Sequence, residues 1–103
     1  VSAANPVRGE ASLRVGAADL VLRPSFAALV AAEAELGSLF ALVERAAGGQ
    51  LTLHEMTALF WHCLRDRPAE LSREALGETV AAAGLAAATP ALAVLLRQIL
   101  EGR

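Results

Sequence analysis

The chain has 103 residues, 55% hydrophobic and 19% charged, with nine basic and eleven acidic side chains and a mean hydropathy of +0.48. That length supports one core, and the apolar content excludes intrinsic disorder. A formal charge of −2 disfavours a nucleic-acid partner, and a single cysteine makes neither an internal disulfide nor a cysteine-rich zinc site.

Val1 to Gly9 is polar and without period, lacks the basic and apolar regions of a secretory leader, and is expected to be a loose arm. From Ala11 the period becomes two. Ala11, Leu13 and Val15 alternate with Ser12 and Arg14, and beyond Gly16 to Asp19, Leu20 and Leu22 alternate with Val21 and Arg23. This predicts a β-hairpin whose Leu13, Val15, Leu20 and Leu22 face must rest on helices, because an isolated hairpin is marginal in water.

Pro24 ends the second strand. A first helix is expected from Ser25, with Phe26, Leu29, Val30, Glu33 and Leu36 near helical spacing and Gly37 closing it. A second runs from Ser38 to Ala47, burying Leu39, Leu42, Val43 and Ala46 with Phe40 at the edge. The third carries the clearest start signal: in Thr52-Leu53-His54-Glu55 the threonine hydroxyl and the glutamate carboxylate can cap each other's backbone N–H. It is expected to reach about Arg65 and stop before Pro68. Ser72 caps a fourth helix through Ala83, and Thr89 with Pro90 opens a fifth whose stripe is Leu92, Leu95, Leu96, Ile99 and Leu100.

The expected fold is therefore mainly α, one domain over residues 1–103, with an N-terminal β-hairpin packed on a bundle of about five short helices. There is no tyrosine, so Phe26, Phe40, Phe60 and Trp61 are expected as the largest pieces of the core. All nine basic residues are arginine and 24 residues are alanine, a coding bias of GC-rich genomes that favours helix and is discounted as a functional signal. Thr79 to Leu96 carries no charge, but Gly84 and Thr89-Pro90 cut it, so two packed helices are expected there rather than a membrane span.

Chemistry-bearing residues are few. His54 and His62 are eight apart, about 12 Å along a helix axis, too far to hold one ion unaided. Cys63 lies on the stripe Leu53, Met56, Phe60, Cys63, Leu64 and is expected as a small buried hydrophobe. Glu33 falls on the apolar side of the first helix, where a charge needs a partner such as Arg14 or Arg23, or else reaches water. Glu70, Glu74 and Glu78 form a solvated line. No phosphate-loop, dinucleotide, nucleophile-elbow or calcium-loop pattern is present, so no enzyme activity, metal or cofactor is expected.

The order of these pieces resembles a known family. Arg8-Gly9-Glu10, the two strands around Gly16 ending Leu22-Arg23-Pro24, and Ser25-Phe26-Ala27-Ala28-Leu29 with Glu33 and Gly37 are similar to small tail proteins of gene transfer agents and siphophage-like prophages of alphaproteobacteria. Leu71 to Glu78 and Ala83-Gly84-Leu85 resemble that family's second half. The family is described as a phage tail assembly chaperone and in places as a tail tube protein. The resemblance implies a protein that keeps the tape-measure protein soluble and guides tube subunits onto it. It would work in the bacterial cytoplasm or become part of a phage-like particle.

Three classes remain in play: a tail assembly chaperone, a structural tube subunit that oligomerises with itself, and a small helical DNA-binding regulator. The acidic balance and the lack of a basic recognition helix count against the third. For a partner, the sequence offers the outer face of the third helix: His54, Ala58, Trp61, His62 and Arg65. Tryptophan and arginine are enriched at binding hot spots. The same spacing also suits a helix wrapped on both sides, with Trp61 as core.

Overall fold

The computed structural model describes residues 10–15 and 18–102. The alternating segments pair as an antiparallel hairpin, β1 (Ala11–Val15) with β2 (Ala18–Leu22), Leu13 opposite Leu20. The expected arm, Val1 to Gly9, and the turn at Gly16 and Ala17 lie outside the described residues. Then come α1 (Phe26–Leu36), α2 (Leu39–Ala47), α3 (Leu53–Cys63), a two-residue strand β3 (Leu64–Arg65), α4 (Arg73–Ala83) and α5 (Leu85–Glu101). The protein is mainly α with a small sheet, ordered β1-β2-β3, built on its N-terminal hairpin.

Hydroxyl caps start four helices. Ser25, Ser38 and Ser72 accept the backbone N–H three residues on, at 3.0–3.3 Å. Thr52 does the same for Glu55, whose carboxylate accepts the Thr52 N–H in return, both at 3.1 Å, so the reciprocal cap forms as its spacing predicts. Arg45 of α2 also pairs with Glu55, tying α2 to the start of α3.

Two boundaries differ from expectation. The third helix stops at Cys63, because Leu64 and Arg65 extend and pair with Leu22 and Val21 while the Arg23 N–H donates to the Cys63 carbonyl at 2.6 Å. A third strand thus forms where helical periodicity has no way to show it. The fifth helix starts at Leu85, not Thr89, straight after Gly84, whose φ of 92° suits glycine and turns the chain by 117° between α4 and α5. Pro90 therefore sits inside α5, where it forfeits one backbone hydrogen bond. The strong propensity of Ala86 to Ala88 and the burial of Ala88 and Ala91 outweigh that loss. No single helix among the described residues is long and apolar enough to cross a membrane.

The core is centred on α3, with α1 and α4 packed against it. Leu22, Leu42, Leu59, Phe60, Leu76 and Leu95 are fully buried. Five consecutive α3 residues, Met56 to Phe60, are buried, which a helix shows only when it is covered nearly all round. At Gly77 the surface of α4 comes close: a methyl group added there would lie 3.4 Å from the Thr57 methyl carbon.

Candidate functional site

The five residues expected to face a partner from the third helix do not form one surface. Ala58 has no exposed surface at all, because α3 is enclosed on the side where solvent was expected. Arg65 is drawn into the sheet, where its guanidinium meets the Glu10 carboxylate at 3.2 Å. That carboxylate is fully buried, and Arg23 stands 3.9 Å from it. Trp61 is half-buried, clasped by cations of its own chain: the Arg67 guanidinium lies 4.4 Å from the ring centroid and that of Arg73 5.9 Å. Met56, Phe60, Cys63 and Leu64 are buried as the stripe predicts, but Leu53 is exposed.

His54 and His62 both turn to Glu35 of α1. The Glu35 carboxylate accepts two hydrogen bonds from Arg73 of α4, at 2.7 and 2.9 Å, and one from His62 Nε2 at 2.8 Å, with His54 Nε2 at 3.6 Å. Since a carboxylate only accepts, Nε2 of His62 carries the proton in this contact. The Arg73 bonds, then the His62 bond, pull the Glu35 carboxyl down from its ordinary 4.5 to about 2. The cluster therefore clamps α1 onto α3 and α4. Sequence spacing misses it when Glu35 is read beside Glu33; Ala28, Ala32 and Glu35, at i, i+4 and i+7, are the signal that places Glu35 on the face toward α3.

Glu33 pairs with neither Arg14 nor Arg23. It is exposed, and its Oε2 accepts the Leu39 N–H at 3.1 Å, a carboxylate on the positive end of α2. Arg14 pairs with Asp19 instead, at 3.2 Å. Among the described residues no group of three His, Cys, Asp or Glu is placed to hold a metal ion. Cys63 is buried, and that burial pushes its thiol up to about 12, so it stays protonated and inert.

The largest departure from expectation lies on the other side of α1. Of the four aromatics expected in the core only Phe60 is fully buried; Phe26 is 85% and Phe40 73% exposed. Helix α1 is apolar on nearly every face and turns its alanines, not its phenylalanine, toward α3: Ala32 is buried and Ala28 partly so. Leu29 and Glu33 of α1, Leu39, Phe40 and Val43 of α2, and Ile99 and Leu100 of α5 wall a hollow of about 190 Å³ that is apolar but for the Glu33 carboxylate. Phe26 stands one turn before Leu29, and Val30 and Leu100 are themselves half exposed. Two rings exposed to this degree leave roughly 300 Å² of aromatic surface in water.

A family model described as phage tail tube protein, GTA-gp10, matches residues 8–102. No curated protein and no solved structure matches the chain.

Proposed function

The chain belongs to this family of gene transfer agent tail proteins, and from that membership we propose that it is a tail assembly chaperone whose α1–α2–α5 face holds an apolar helical segment of the tape-measure protein. The observation that carries the reading is the exposure of two phenylalanines, Phe40 on the wall of a hollow and Phe26 one turn before Leu29, which also walls it. A helix laid in that hollow would present its own apolar stripe to the rings. Burying roughly 300 Å² of ring is worth about 7 kcal/mol, against about 4–15 kcal/mol for the costs of association, so the rings hold a client only together with the aliphatic side chains beside them and the client's own apolar stripe. The role needs no catalysis.

The test is co-expression with the tape-measure protein of the same phage-like tail. The native chain should raise the soluble fraction of the tape-measure protein several-fold, and the Phe26→Asp/Phe40→Asp double variant should not. Both positions lie in first turns of helices, where an acid suits the backbone dipole, so the variant should fold. Equal solubilisation by the variant would overturn the reading. The second reading, a tube subunit, is favoured by the family's description; it predicts hollow tubes of the purified protein that persist when tape-measure protein is added.

A further inference from the structure

Among the described residues that wall the α1–α2–α5 hollow, Glu33 alone carries a charge. It belongs to the same stripe of α1 as the exposed ring. Phe26, Leu29 and Glu33 stand at i, i+3 and i+7, so the carboxylate follows Phe26 by two turns, roughly 10 Å along the axis. A carboxylate has about four acceptor sites, and the Leu39 N–H takes one of them at 3.1 Å. No cation among the described residues pairs with it: Arg14 is held by Asp19, and Arg23 and Arg65 by the buried Glu10. In the free chain solvent reaches the remaining sites, because the side chain is exposed.

A helix seated on Phe26, Leu29 and Phe40 takes that solvent away. Burying an unpaired carboxylate costs far more than burying a neutral polar group, so a wholly apolar segment would lose at Glu33 part of what it gains at the rings. An acidic segment would add repulsion. Resting on the client face proposed above, we infer that Glu33 selects the client by charge. The segment that fills the hollow carries one basic side chain, arginine or lysine, at the border of its apolar stripe, and that side chain donates to the free acceptor sites of the Glu33 carboxylate. A client helix running along α1 carries it about two turns from the position that meets Phe26. The Leu39 N–H already holds the carboxylate at the wall, which spares the complex the ordering of a free side chain.

The probes are synthetic amphipathic helices of about five turns, each with a leucine stripe and one variable residue at its border: arginine, glutamine or glutamate. Fluorescence anisotropy reads their affinity for the full chain. The arginine peptide should bind roughly tenfold tighter than the glutamine peptide, the worth of one charge-assisted hydrogen bond, and the glutamate peptide should bind weakest. The arginine advantage should shrink as salt rises. Glu33→Gln keeps an oxygen for the Leu39 N–H and removes the charge, so its melting temperature should hold while the three peptides bind alike. Glu33→Arg should reverse the order and prefer the glutamate peptide. An arginine preference that persists in Glu33→Gln, whatever its melting temperature, would show Glu33 as a cap of α2 alone and overturn the inference. Equal binding of the three peptides to the native chain would overturn it as well. The face itself is read separately with Phe26→Ala/Phe40→Ala. If the native chain binds no peptide, or this variant binds them equally well, the face fails and the inference with it. If this variant binds none while the native chain shows no preference among them, the face stands and only the selection by Glu33 falls.

Discussion

Arg65 separates two accounts of the third helix, since the sequence places it on a partner surface and the structure assigns it to the buried Glu10 carboxylate. Replacing Arg65 with Met keeps the aliphatic stem and removes the cation 3.2 Å from a side chain with no exposed surface. Breaking a buried ion pair by removing one partner costs about 3–5 kcal/mol. Arg23, 3.9 Å away, still shares the carboxylate, so the cost should fall near the lower figure, about 3 kcal/mol. For a domain of this size each kcal/mol moves the melting temperature by about 4–8 °C, which gives a fall of roughly 12–24 °C. Urea unfolding at 25 °C followed by circular dichroism reads the same loss as a lower midpoint with unchanged slope. Adding Glu10→Gln should restore much of it, because the buried group that Arg65 faced is then neutral. An Arg65→Met chain within 1 kcal/mol of native stability would refute the reasoning and return Arg65 to the surface.

Three further outcomes follow from particular contacts. Thr52→Ala removes half of the reciprocal cap of α3 and should cost about 1 kcal/mol in urea unfolding; unchanged stability would mean the cap is idle. Glu35 has a folded pKa of about 2 against an ordinary 4.5, so its contribution is complete above pH 4.5 and is lost as the pH falls toward 2. Native protein should therefore lose more melting temperature over that window than Glu35→Gln, and parallel curves would contradict the assignment. Gly77→Ala should stabilise by up to about 1 kcal/mol, since α4 gains helix propensity and the added methyl meets Thr57 at an ordinary 3.4 Å; a destabilised variant would show that α3 and α4 need a closer approach.

Local rules made much of the fold legible. Period-two alternation located both long strands, the hydroxyl caps at Ser38, Thr52 and Ser72 located three helix starts while Thr89 lies inside α5, and glycines at 37 and 84 marked ends with positive φ. What stayed hidden depends on partners distant in sequence. The strand at Leu64 and Arg65 exists because β2 and Glu10 are there to receive it, and nothing local distinguishes it from one more turn of helix. The exposed phenylalanines were misplaced for a related reason. In α1, alanines line the face toward α3 and large apolar residues the other, so size is a poor guide to which side is inward. Close helix approach selects small side chains, and the bulky ones are left for another surface. The Glu35 clamp joins residues 35, 54, 62 and 73 on three helices, a convergence that spacing within any one helix cannot reveal.

The central claim is that the client sits on the face of Phe26 and Phe40. Hydrogen exchange on the native chain, alone and in complex with the tape-measure protein, tests it most directly. The account predicts new protection over residues 26–43 and 96–101 in the complex, with 53–65 unchanged. Protection confined to 53–65, around His54, Trp61 and His62, with 26–43 unaffected, would contradict it and place the client on the third helix instead.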